Sequence, residues 1–426
     1  MNQSKICIIS CYFGEMPWYF KFYLQSCSLN SSIDFLFITD YVGNENLPTN
    51  FNIVNYTLQQ ISELIDRKLQ IKSDIRNPFK LCDFRPAFGI IFSDYLHKYD
   101  FWGHSDIDII YGNIRTFITE DKLANNDIIA VRKEYITGFF SIYRNSQNVN
   151  RLYLNSKDYL RVFQSSDHYC FDECGGSYFE LMNGKSIFET KSKIESITHV
   201  ASRAHNENKI RSLFLMCCIE DLPGNIEVDN GRIYFTKSAK TSVNQIDWNN
   251  GSLPNERKEF ILYHLIKFKR LKYLSKAKWN EIPQRYFIGK TMIYKLPLDS
   301  FLGLLKQSID SFSMWFKIEK EFLLKWAKAK MNNTKHDVFI KEGRYKEEDN
   351  DDNRTVALKW HKQALLCQIY QPNSPTVISK CYFLAANKFI SLKMGIELEI
   401  LDNNSFILYD KSVFNKLWNP KFIFEE

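Results

Sequence analysis

Tyr99-Asp100-Phe101-Trp102-Gly103-His104-Ser105-Asp106-Ile107-Asp108-Ile109-Ile110-Tyr111-Gly112 is the stretch on which the reading of this chain turns. It opens on bulky residues of the kind that fill a strand, sets two carboxylates two residues apart, and returns at once to Ile109 and Ile110. In an extended segment residues i and i+2 point to the same side, so Asp106 and Asp108 are expected to project together from a strand end. Two carboxylates so placed repel each other and are costly to bury without a cation between them. A hard divalent metal that keeps open positions for phosphate oxygens answers that need. The plain alternative is an Asp-rich turn between two strands.

Upstream, Ile6 to Gly14 reads as a buried strand ending in a turn, and Trp18 to Asn30 has helical spacing behind Pro17. Ile33 to Asp40 and Phe51 to Tyr56 read as further strands, and Leu58 to Leu69 as a helix. This alternation predicts a parallel α/β sheet, whose ligands bind outside the carboxyl ends of the strands. Ser10, Tyr12 and Asp40 fall at those ends, although ordinary loop polarity accounts for each taken singly. Lys80, Asp83 and Arg85 form a charged cluster beside aromatic residues, ahead of a helix expected over Ile90 to Tyr99. A helix surface would show the same cluster. Alternatively, Lys80 and Arg85 hold phosphates while Asp83 fixes one of them or a sugar hydroxyl.

The chain has 426 residues, 45% hydrophobic and 25% charged, a globular composition with ample core material. Its 34 Phe and 23 Tyr supply that core and can also line a site for ring-shaped ligands. A net charge of +7 fits an anionic partner, such as a phosphorylated substrate or a membrane surface, and is too small to argue for nucleic acid. The ten cysteines contain no Cys-x-x-Cys pair, so neither a zinc pattern nor a disulfide framework is expected. The apolar run after Met1 is too short for a signal peptide, and no run reaches bilayer length. A reduced, cytoplasmic compartment is the expectation.

Downstream, Asp127 to Val131 and Gly138 to Tyr143 read as strands. Ser165 to Gly176 is an irregular loop in which Asp172 and Glu173 precede two glycines. A carboxylate there can serve as a general base toward an acceptor hydroxyl, or simply be solvated. Ile226 to Val228 and Arg232 to Thr236 form a hairpin around Asp229-Asn230-Gly231. His264 stands alone in the apolar run Phe260 to Lys267, where a lone histidine is ordinarily a core residue. From Lys267 to Lys295 nine basic residues face one acid, Glu281, with aromatics interleaved; this is a solvated face or a surface for anionic lipid. Phe301 to Lys330 is an amphipathic helix that packs on its neighbour or on a membrane. Asn332 to Arg354 reads as a charged linker, Thr355 to Tyr370 and Pro375 to Met394 as helices, and Glu397 to Tyr409 as a hairpin. The resulting division is 1–297, a linker region 298–354, and a small, mainly helical α+β C-terminal region 355–426.

Five segments together carry a family resemblance: Ser10 to Gly14, Phe37 to Asp40, Lys80 to Pro86, Phe101 to Asp108, and Tyr263-His264. On these, roughly Ile6 to Arg270 resembles bacterial glycosyltransferases of the GT-A fold found in surface-polysaccharide gene clusters. The resemblance implies a Rossmann-like nucleotide-sugar-binding domain with a mixed central sheet. It implies Mn2+ or Mg2+ on Asp106 and Asp108, with His264 completing the metal site. Ser10, Tyr12 and Asp40 would meet the nucleobase and ribose, and Lys80, Asp83, Arg85, Ser105 and Asp106 the rest of the donor. Asp172 or Glu173 would be the base. The acceptor implied is a hydroxyl of a growing surface glycan, lipid-linked at the inner membrane face. Two other readings stay open from the residues: a metal-dependent nucleotidyl or phosphoryl transferase, and a non-catalytic carbohydrate-binding protein on the same fold.

Overall fold

In the first strand, alternate side chains go to two different cores. In the computed structural model Ile6 and Ile8 of β1 (Ile6–Tyr12) join one buried cluster, and Cys7 and Ile9 another. A strand buried on both faces needs an unbroken apolar run, which is what the sequence supplies there. The structure describes residues 3–43, 47–220, 226–236, 257–270, 277, 279, 281–289 and 292–295, and the backbone of seven strands between 338 and 410. Chain contacts divide it into two units, Met1–Asp310 and Ser311–Glu426.

In the first unit, β1 pairs in parallel with β2 (Asp34–Thr39), and β2 with β3 (Phe51–Asn55). On its other side β1 pairs in parallel with β4 (Phe101–Ser105). After β4 comes the short strand β5 (Ile109–Tyr111), which leaves this sheet, and then β6 (Ile128–Ala130) and β7 (Phe140–Arg144) return to it. β7 runs antiparallel to both β4 and β6, and β8 (Ser212–Phe214) closes the sheet beside β6. The order is β3-β2-β1-β4-β7-β6-β8, so the unit is α/β with a mixed central sheet.

α1 (Phe20–Ser28) packs on one face, where Phe20, Phe22 and Tyr23 meet Phe35, Phe37 and Phe51 in an aromatic core. α2 (Leu58–Leu69) packs on the other, started by a capping box in which Thr57 and Gln60 satisfy each other's backbone N–H. The helix expected over Ile90 to Tyr99 is broken: a 3₁₀ segment Pro78–Ala87 leads into single turns Phe88–Ile91 and Ser93–Leu96. Pro86 lies inside the 3₁₀ segment, where its missing N–H cannot continue an α-helical ladder.

Two smaller sheets complete the unit. β9 (Cys218–Ile219), β5 and β13 (Leu262–His264) form one, in the order β5-β13-β9. β10 (Ile226–Asp229) and β11 (Arg232–Thr236) form the expected hairpin, joined by β12 (Arg257–Phe260), β14 (Arg285–Ile288) and β15 (Ile293–Tyr294).

The second unit departs from the sequence reading. Seven antiparallel strands follow one another from Val338 to Asp410. The charged linker coincides with strands Val338–Glu347 and Asn350–His361, and the two expected helices with strands among which are Ala364–Tyr370 and Val377–Ala385. Val377-Ile378 and Tyr382-Phe383 are β-branched and aromatic content suited to a pleated surface. The hairpin at the end is present as Ile396–Ile400 and Phe406–Asp410. The amphipathic segment Phe301 to Lys330 lies outside the described residues.

Candidate functional site

Asp106 and Asp108 are not in one extended strand. β4 ends at Ser105 and β5 starts at Ile109, so the two acids occupy the bend where the chain passes from the main sheet to a small one. The Asp106 N–H donates to the Phe139 carbonyl at 3.0 Å, which anchors the bend to β7. The Ser105 hydroxyl tightens it, donating to the Asp106 carbonyl at 2.6 Å and accepting from Tyr111.

Sheet register delivers the third member. β13 pairs antiparallel with β5, placing His264 opposite Ile109, and the Leu265 N–H donates to the Asp108 carbonyl at 2.7 Å. His264 Nε2 then lies 3.3 Å from Asp108 Oδ2 and 3.9 Å from Asp106 Oδ2. The imidazole is 3% exposed, and its ring packs on Phe139 with centroids 4.5 Å apart. Register also delivers a residue that sequence reasoning missed. β9 pairs in parallel with β13 up to Tyr263 and Ile219, so the next position, Glu220, stands beside His264, 3.3 Å from Nδ1. Arg132 holds Glu220 from behind at 2.9 Å. No local motif marks Glu220; only the pairing of strands distant in sequence brings it there.

The donor set fits a divalent cation. His264 Nε2 is buried and has no hydrogen-bond partner, although two carboxylates face it. Glu220 on Nδ1 fixes the ring so that Nε2 points at them, the usual arrangement behind a metal-bound histidine. Ligand atoms of Asp106, Asp108 and His264 all lie within 4.8 Å of one another. Asp106 is 29% exposed while Asp108 is 6% exposed, so the solvent-facing side of the cluster is open to further ligands. Burial works against ionisation of Asp108, but His264 and Lys269, 2.7 Å away, hold its carboxyl below the ordinary carboxylate range. Burial likewise opposes the imidazolium of His264, and Asp108 and Glu220 outweigh it, pushing the ring up to about 10.

Arg85 ties this cluster to the loop acids. From the 3₁₀ segment its guanidinium reaches Asp106 with one nitrogen and Asp172 Oδ2 with the other, the latter at 2.8 Å. Gly138 backs the pair: a Cβ there would run into Asp172 Oδ2 and come within 2.7 Å of Arg85 Nη1. Asp172 is 1% exposed, its Oδ1 has no hydrogen-bond partner, and burial pushes its carboxyl up to about 8 against the pull of Arg85. Glu173 has both oxygens engaged, accepting from the Gly138 N–H at 2.9 Å and from the Tyr178 hydroxyl. As placed, neither acid presents a free, exposed oxygen to an acceptor.

The other expected donor-binding residues are placed differently from one another. Lys80 is buried, with Nζ donating to Asp83 at 2.9 Å, the Val162 carbonyl at 2.7 Å and the Asp167 carbonyl at 2.6 Å. Its three hydrogens are taken, so it has none for a phosphate. Asp83 is equally enclosed and accepts from the Tyr169 and Phe171 N–H groups. Asp83, His168 and Asp172 lie close enough to share a cation, but the Lys80 ammonium already occupies the Asp83 end. Ser10 is buried, its hydroxyl 2.8 Å from that of Tyr23. Tyr12 and Asp40 do stand at the carboxyl edge of the sheet: Tyr12 donates to the Glu15 carbonyl at 2.9 Å, and Asp40 accepts from the Gly14 N–H at 2.8 Å.

Residues 8–297 match the model of a family described as a family of unknown function, DUF6625. No curated protein matches. Among solved structures, similarity is found to the galactosyltransferase LgtC in complex with donor and acceptor sugar analogs, at 10% identity over 40% of this chain and 71% of that one, with a TM-score of 0.26. Similarity is also found to the glycosyltransferase GlyE of Streptococcus pneumoniae, at 10% identity over 49% and 45% of the two chains, with a TM-score of 0.26. Mouse xyloside xylosyltransferase 1 aligns at 8% identity over 50% of this chain and 85% of its own, also with a TM-score of 0.26. Likenesses this distant assign neither activity nor substrate.

Proposed function

The chain belongs to the family of unknown function DUF6625, and we propose that it is a divalent-metal-dependent glycosyltransferase. It would move a sugar from a nucleotide-sugar to a hydroxyl of a growing, lipid-linked surface glycan. The observation that carries this reading is the unpartnered Nε2 of His264 facing Asp106 and Asp108 at the carboxyl edge of an α/β sheet. Ligands of such sheets bind at that edge. Two carboxylates and an imidazole suit Mn2+ better than Mg2+, which prefers oxygen alone.

Glycosyl transfer develops positive charge at the anomeric carbon and negative charge on the departing diphosphate. A cation held by Asp106, Asp108 and His264 would supply Lewis-acid stabilisation of that diphosphate. Arg85, 12% exposed beside Asp106, is the protein's own fixed positive charge for the same oxygens. Asp172 positions the guanidinium, and Gly138 leaves the room that the pair needs. We assign Lys80 and Asp83 to holding the loop that carries Asp172, since their contacts all lie within the protein. Tyr12 and Asp40 remain at the edge where a nucleoside would sit.

Among the described residues no helix is long and apolar enough to cross a membrane. A peripheral contact with anionic lipid at the inner membrane face is proposed through Lys272, Lys276 and Lys278, which lie outside the described residues. Co-sedimentation with phosphatidylglycerol vesicles, lost on replacing the three lysines by Gln, tests that contact. Turnover tests the main proposal. A panel of nucleotide-sugars with Mn2+ is expected to yield nucleoside diphosphate or monophosphate from one member, and none after chelation or in Asp108→Ala. Release of pyrophosphate instead would identify a nucleotidyl transferase and overturn the reading.

A further inference from the structure

Three side chains outside the metal cluster line up as a thiol, an imidazole and a carboxylate. Cys170 Sγ lies 3.4 Å from His168 Nε2. His168 Nδ1 lies 3.3 Å from Asp83 Oδ1. The two nitrogens of one ring thus lie beside a thiol and a carboxylate; Nδ1 makes no hydrogen bond here, so Asp83 acts by charge, favouring an imidazolium of the kind that stabilises a neighbouring thiolate. Asp83 is fully buried and anchored by Lys80 and by the Tyr169 and Phe171 N–H groups, so the acid end is rigid. Phe79, 63% exposed, lies against the His168 ring at 4.3 Å between centroids, so this group sits at the surface.

We propose that Cys170 is a reactive thiol, a covalent modification site for small disulfides and soft electrophiles, activated by His168 and Asp83. The inference stands whether or not the chain transfers sugar. In the reaction with a disulfide R–S–S–R, Cys170 loses its proton to water beside the His168 imidazolium and the thiolate attacks one sulfur. The S–S bond breaks, a bond between Sγ and that sulfur forms, and the departing thiolate takes up the proton as R–SH. Nothing is oxidised beyond the disulfide exchange itself.

The contrast lies within the same chain. Cys11 and Cys82 are also partly exposed, but they have no imidazole on the sulfur in any described contact, and burial pushes the Cys11 thiol up to about 12. For His168, burial favours the neutral ring, yet Asp83 and Cys170 outweigh it and push the imidazole up to about 10, so the ring beside the Cys170 sulfur is cationic at neutral pH.

The test is a ranking of cysteines in the full-length folded protein. Limiting iodoacetamide at neutral pH, read by peptide mass spectrometry, is expected to modify Cys170 roughly tenfold faster than Cys11 or Cys82, since an unactivated thiol is only a few per cent thiolate there. His168→Gln is expected to slow Cys170 by a similar factor and leave Cys11 and Cys82 unchanged. Oxidised glutathione is expected to give a mixed disulfide at Cys170 in the wild type. Equal rates at the three cysteines, a Cys170 rate indifferent to His168→Gln, or no mixed disulfide on the wild type would each overturn the proposal.

Discussion

Glu220 stands 3.3 Å from the Nδ1 of His264, and that contact decides which way the imidazole faces. With Nδ1 turned to a carboxylate, Nε2 is aimed at Asp106 and Asp108, where a bound cation would take the place of its proton. Glu220→Gln keeps the shape but removes the charge that makes the ring a strong ligand. Calorimetric titration with Mn2+ is expected to show affinity weakened by roughly 10- to 100-fold, while Asp108→Ala abolishes binding. Unchanged affinity in Glu220→Gln would remove it from the site.

Gly138→Ala tests the clamp without touching a ligand-bearing residue. The added methyl would come within 2.7 Å of Arg85 Nη1 and closer still to Asp172 Oδ2, so the ion pair has to move. A cost of about 1–3 kcal/mol in stability is expected from overpacking. Affinity for nucleoside diphosphate in the presence of Mn2+ is expected to fall, while affinity for Mn2+ alone stays.

Lys80→Met separates structure from phosphate binding. Removing the ammonium leaves Asp83 buried without its cation, a change expected to cost about 3–5 kcal/mol in urea unfolding. If the variant folds at low temperature, its nucleotide affinity is expected to match the wild type. Selective loss of nucleotide affinity with unchanged stability would restore Lys80 to the donor site.

His168 carries a pH signature. Its imidazole is pushed up from an ordinary 6.5 to about 10, with Asp83 and Cys170 outweighing burial. The stability it contributes is therefore complete below pH 6.5, declines as pH rises toward 10, and is absent above that. His168→Gln is expected to be less stable than the wild type by about 1–3 kcal/mol at pH 6, with the gap closing by pH 10. A gap that is constant with pH would assign the loss to packing.

Much of the first unit is legible in the sequence because its signals are local. Ile6 to Tyr12, Asp34 to Thr39 and Leu58 to Leu69 announce themselves by apolar period and by the Thr57–Gln60 cap. Asp106, Asp108 and His264 stand out because acids and a lone histidine in apolar runs demand a reason, and the structure does bring them together. Glu220 does not stand out, because its role comes from the parallel pairing of β9 with β13. Lys80 and Arg85 look alike in sequence, five residues apart. Only tertiary packing makes one a buried anchor and leaves the other beside Asp106. The second unit shows the converse: the pattern from Thr355 to Met394 suits a helix or a strand, and long-range pairing decides for strands.

The central claim is a metal-dependent nucleotide-sugar site at Asp106, Asp108 and His264. Calorimetric titration of nucleotide-sugars and nucleoside diphosphates, with and without Mn2+, on the wild type and on Asp108→Ala tests it most directly. The account predicts that one nucleotide class binds the wild type only with the cation, and that Asp108→Ala binds none. Binding that is indifferent to both cation and substitution, or no binding by any nucleotide, would contradict it.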